Sequence, residues 1–192
     1  MKKNGLKGEL LSSIREIVFG AEDSLVSTLG AVTGMAVGTQ STFLVILSGV
    51  ILIAVESTSM AAGSYLSSKS ARNMDHVLNG GTKQKQDIVH SIRGAIVMWF
   101  SYAIAGIFPL LFYFFLPTSQ AYLPSILLTA LMLFLLGFWV GKITKQSPIK
   151  SGLEMVSVSL FAALIGYLIG RLLPLLLGMS PESNNVIDCG KQ

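Results

Sequence analysis

Residues 98–115 read MWFSYAIAGIFPLLFYFF, eighteen residues without a charge. Two more runs resemble it: 127–140, LLTALMLFLLGFWV, and 158–178, VSLFAALIGYLIGRLLPLLLG, broken only by Arg171. A helix crosses the hydrocarbon layer with about 20 mostly apolar residues. None of the runs alternates polar with apolar, as a barrel strand would. In hydrocarbon a helix satisfies its own N–H and C=O groups. Working outward gives five candidate spans, at 17–38, 43–66, 92–116, 122–141 and 153–178. The first two are less pure, with Glu22 and Asp23 in one and Glu56 in the other. Composition agrees: charged residues are 12% of the 192, about half the share in soluble chains. The expected fold class is an all-α integral membrane protein with five transmembrane helices.

Twelve of the fourteen Lys and Arg residues fall in three places: the N-terminal segment, the 67–93 connection and the 142–152 connection. The alternate loops, 39–42 and 117–121, hold none. The positive-inside rule then puts the N-terminus in the cytoplasm and the C-terminus outside or in a lumen. The net charge of +4 is a topology signal. The basic residues are dispersed and not interleaved with aromatics, which argues against nucleic acid as a partner. Residues 1–16 carry Leu6, Leu10 and Ile14 at helical spacing and read as a short cytoplasmic amphipathic helix. Residues 17–178 form the transmembrane domain, and 179–192 read as a disordered tail. No secretory cleavage site precedes the first span. The single cysteine excludes an intramolecular disulfide framework. With no phosphate-binding glycine loop and no nucleophile–base pair, an enzyme is not expected.

An acid at bilayer depth is costly, so it is a functional candidate by default. Counted from the apolar edges, Asp23 lies about 9 Å deep and Glu56 about 15 Å deep. Met60 is one turn below Glu56 on the same face, at about the depth of Asp23. Spans one and two are antiparallel neighbours, so Asp23, Glu56 and Met60 can converge. Carboxylates supply the charge a desolvated divalent ion requires, and a thioether adds preference for transition metals. Glu22 and Ser59 are secondary candidates; Glu22 also fits as a cap of the helix start. Gly30, Gly34 and Gly38 on span one and Gly63 on span two suit helix packing, within the chain or across a dimer. Pro109 and Pro174 are expected to kink or unwind their helices. Arg171 reads as snorkelling to headgroups, and His76, His90 and Asp87 as a solvated connection.

Two stretches are familiar. FGAEDSLVSTLGAVTGMAVG at 19–38 and SGVILIAVESTSMAAGSYLSSKS at 48–70 resemble the vacuolar iron transporter (VIT) family. Its pattern is approximately F-G-x-x-D-G-L-V-S, then S-M-x-x-G-x-Y-L-(S/A)-x-(K/R)-S. IRGAIVMWFSYAIAGIFPLLFYF at 92–114 and SGLEMVSVSLFAALIGYLIGRLL at 151–173 are similar to its third and last spans. The resemblance implies a homodimer of five-helix chains exporting Fe²⁺, often Mn²⁺ as well, from the cytoplasm in exchange for protons. It assigns metal binding to Asp23 and Met60. The family's second-span glutamate precedes the methionine by eight residues, where this chain has Leu52; Glu56 stands four before it. Ser24 replaces a common glycine. The short 67–91 connection, with only Asp75 and Asp87 as acids, resembles a member lacking the cytoplasmic metal-binding domain.

The expected function is proton-coupled transport of Fe²⁺ or Mn²⁺ across a lipid bilayer, with the metal as cargo and no permanently bound cofactor. The alternative is a non-transporting membrane metal-binding or assembly protein that keeps the fold. The short tails and absent targeting signal suit a prokaryotic cell membrane over a vacuolar one.

Overall fold

The computed structural model describes the backbone of residues 2–79 and 85–177, and the side chains of 13–75, 77–78 and 88–177. The elements are α1 (Lys2–Thr39), α2 (Thr42–Asn79), α3 (Lys85–Leu110), a 3-10 turn at Leu111–Phe114, α4 (Thr118–Ile143) and α5 (Pro148–Leu176). Thr42–Asp75, Ile88–Phe114, Thr118–Ile143 and Pro148–Leu176 are long and apolar enough to cross a membrane. The fifth helix, α1, is less apolar because Arg15, Glu16, Glu22 and Asp23 interrupt it. The chain is an all-helical, multi-pass membrane protein.

Element ends differ from the apolar runs. Residues 2–16 and 17–38 lie on one continuous helix, since no proline separates them. The helix α2 runs thirteen residues past its apolar stretch to Asn79. Hydropathy marks where a helix leaves hydrocarbon; a helix ends only where its backbone bonding is interrupted. The tail at 179–192 lies outside the described residues.

The chain divides into two compact units. The first comprises Met1–Leu25 and Ile51–Ile107. Here α1 and α3 run parallel and close. A Cβ on Gly20 would meet the Met98 sulfur at 3.0 Å, and one on Gly106 would meet Ser24 Oγ and Ile53 Cγ1 at 2.7 Å. Ser101 donates to the Ile17 carbonyl at 2.6 Å.

The second unit comprises Val26–Val50 and Phe108–Gln192. Its packing inverts that of a water-soluble domain. Along α4 the buried positions Ala121, Ser125, Thr129, Leu133 and Gly137 are mostly small or polar. Leu123, Leu127, Leu131 and Leu135 face outward. Lipid solvates leucine as well as protein does, so helix contact selects small residues that bring backbones together. At the α4–α5 seam a Cβ on Gly137 would lie 2.6 Å from the Ser151 carbonyl oxygen. Lys145 turns that corner with φ of 57°, and Gln40 turns the α1–α2 corner with φ of 52°. Pro109 is followed by the end of α3 at Leu110, and its carbonyl accepts from Ser125 Oγ at 2.6 Å. Pro174 sits in the last turn of α5.

The glycine row of α1 meets α5 in this unit. A Cβ on Gly34 would come within 2.9 Å of the Gly166 carbonyl oxygen, and one on Gly38 within 3.1 Å of that of Gly170. Gly166 in turn rests on the Gly30 carbonyl. Around Gly63, by contrast, a Cβ would meet nothing within 4 Å. Gly166→Val should therefore destabilise the fold by about 1–3 kcal/mol through overpacking, and Gly63→Ala should not. Thermal unfolding of the two variants in detergent checks this contrast.

Candidate metal centre

The first unit holds every acid singled out by the sequence. Its register is set by Ser64 on α2, which donates to Glu16 Oε2 at 3.0 Å. Moving seven residues up α1 and seven back along antiparallel α2 brings Asp23 level with Ser57, beside Glu56. Seven residues are also close to two full turns, so Asp23 and Glu16 share one face of α1. The Asp23 and Glu56 carboxylates act on each other electrostatically. Both are half-buried. Sequence depth alone placed Met60 at the level of Asp23. The helix register instead gives that level to Glu56 and sets Met60 about 4.5 Å nearer the N-terminal end of α1. The cause is the length of α2: the apolar edge at residue 66 is not its end.

Glu56 is held from α3. The Tyr102 hydroxyl donates to Glu56 Oε2, while the Tyr102 carbonyl accepts from Ser24 Oγ on α1 at 2.7 Å. Tyr102, Ser24 and Ser57 are fully buried. One residue thus ties three helices into a layer that contains both acids. Glu22 is half-buried next to Asp23 and interacts with it electrostatically. Ser59 and Gly63 are exposed on α2. His90 lines a separate basic pocket, while the side chains of His76 and Asp87 lie outside the described residues. Arg171 donates to the Tyr167 hydroxyl at 3.0 Å.

Tyr102 was not legible as a site residue, because an aromatic in an apolar run carries no mark of what its hydroxyl meets. Buried Glu16 is the other omission. The spacing of seven between Glu16 and Asp23 was the available signal. Among the described residues, no group of three or more His, Cys, Asp or Glu side chains could hold a metal. The arrangement on one chain is two carboxylates and, one turn along α2, a thioether. Such a set can neutralise a divalent ion and leaves coordination positions for water or further donors.

The sequence signature of the VIT family matches residues 14–85 and 74–171. The chain belongs to the VIT family. An uncharacterized protein of Methanocaldococcus jannaschii is 28% identical over 180 residues, covering 88% of this chain and 93% of that protein. The Arabidopsis thaliana protein named vacuolar iron transporter 1 is 21% identical over 224 residues, covering 88% of each. Its Eucalyptus grandis namesake is 22% identical, covering 78% of this chain and 82% of that one. Within this VIT chain the Ser24 hydroxyl bonds across to α3. Ser24→Gly should lower stability by about 1 kcal/mol, the worth of one buried hydrogen bond. A lowered melting temperature in detergent is the expected reading.

Proposed function

We propose that this VIT chain carries a divalent transition metal, Fe²⁺ foremost and Mn²⁺ as well, out of the cytoplasm in exchange for protons. The observation that supports it most is the pairing of Asp23 and Glu56 at one level between apolar helices, each within reach of the other's charge. Two like charges in a low-dielectric setting repel, and either a divalent cation or a proton relieves the repulsion. Metal and protons therefore compete for the same oxygens. Protonation from an acidic side releases the metal, and loss of those protons on the other side restores the site. No ATP is needed for such an exchange.

In this reading Met60 biases the site toward softer ions, with Glu22 and Ser59 as auxiliary donors. Tyr102 is a positioning residue for Glu56. The naming of relatives as vacuolar iron transporters supports iron as cargo. The N-terminus lies in the cytoplasm, where Lys and Arg cluster. A second copy completes the coordination: one chain supplies two carboxylates, and the exposed Ser59 and Gly63 leave a small-residue face on α2 open to a helix. A prokaryotic cell membrane is the proposed setting. Binding without translocation is the second reading, favoured by the lack of a fuller ligand cluster among the described residues.

Sealed proteoliposomes with an imposed pH gradient decide between them. Asp23→Asn and Glu56→Gln should each abolish Fe²⁺ uptake while the protein still elutes as a folded species. Full transport by Glu56→Gln would remove Glu56 from the mechanism. Specific Fe²⁺ binding with no flux in the unaltered chain would favour the second reading. Tyr102→Phe should keep the fold and lower Fe²⁺ affinity by about tenfold, equivalent to 1.4 kcal/mol. Met60→Leu should reduce Fe²⁺ uptake more than Mn²⁺ uptake, read by competition between the two ions.

A further inference from the structure

The first unit also contains a pocket of about 200 Å³ among α1, α2 and α3. Its lining includes Arg15 from α1, Arg72 from α2, and His90 and Arg93 from α3, with Ser13 and Ser68 beside them. Three guanidinium groups from three helices around one cavity is an unusual arrangement for a chain with so few charges. Glu16 is the one acid in the lining. It is occupied on its other side by Ser64 at 3.0 Å, and Arg15 Nη2 lies 3.9 Å from its Oε1. Even with Asp75, three residues beyond Arg72 on α2, positive groups outnumber negative ones.

We infer that this pocket binds a phosphate group, carried by an anionic lipid or free in solution. Guanidinium forks match the oxygens of phosphate in pairs. The volume equals about seven waters at ~30 Å³ each, enough for a phosphate with part of its hydration. The position fits a headgroup. Arg15 lies just before the apolar run at 17–38, Arg72 shortly after the run at 43–66, and Arg93 at the start of that at 92–116. Lipid phosphates sit at that boundary, and basic pockets between transmembrane helices bind them. The Arg15 side chain is 79% exposed and can close over an incoming group.

The test uses the full chain, delipidated in neutral detergent. Native mass spectrometry measures retention of phosphatidylglycerol against phosphatidylcholine, and calorimetry measures binding of inorganic phosphate. At least a tenfold preference for phosphatidylglycerol is expected, and Arg72→Gln/Arg93→Gln should abolish it at unchanged elution volume. If that double variant does not fold, Arg93→Gln alone serves, because this arginine is exposed. Lys145→Gln/Lys150→Gln removes two basic residues from another connection and should leave the preference intact. Lipid preference without phosphate binding identifies a headgroup site. Phosphate binding that the arginine variant loses, without lipid preference, identifies a free-anion site. Absence of both overturns the proposal. So does an arginine variant that is folded and binds like the unaltered chain, or a lysine variant that loses as much, since the attraction would then be diffuse.

Discussion

Three helices of the first unit meet through Tyr102. Its carbonyl takes the Ser24 hydroxyl from α1, and its own hydroxyl reaches Glu56 on α2. Two side-chain hydrogen bonds through one fully buried residue are a strong constraint in an apolar setting, where no water competes for the donors. The one to Glu56 constrains the rotation of α2 about its axis. Given that rotation, Glu56 turns toward the face of α1 that carries Asp23. The Ser64–Glu16 bond two turns away fixes the same two helices lengthwise. Rotation and register together set Asp23 and Glu56 at about one level.

The second unit is held by backbone approach. Glycines on α1 and α5 allow the helices to touch at their carbonyls, and α4 lays small and hydroxyl-bearing residues along its inward face. Leucines and phenylalanines are left outside. A scaffold built this way owes little to hydrophobic burial among its own helices. It depends on shape: one added methyl at Gly34 or Gly166 meets a carbonyl, and a carbonyl cannot rotate out of a helix ladder without losing its own bond.

The second-span acid of this chain stands four residues from the methionine. The consequence is geometric. Four residues place the glutamate one turn from Met60 on the same face. At that height it accepts from the Tyr102 hydroxyl and acts electrostatically on Asp23. A glutamate two turns away, at the position of Leu52, would sit about 6 Å higher and miss the layer where the tyrosine hydroxyl lies. Glu56 and Tyr102 belong to one arrangement.

The sequence by itself determined the class, the number of helices and the acids worth examining. Uncharged runs of spanning length permit only helices in hydrocarbon, and acids inside such runs stand out against their surroundings. The family followed from two short motifs. Helix ends were not legible, because hydropathy reports solvent and α2 continues far beyond its apolar stretch. The relative height of Asp23, Glu56 and Met60 was misplaced by about one turn for the same reason. Tyr102, Ser24 and Glu16 acquired meaning only in three dimensions. A hydroxyl or a carboxylate in a sequence carries no record of its partner, and the rotation of each helix about its own axis is set by contacts between segments far apart along the chain.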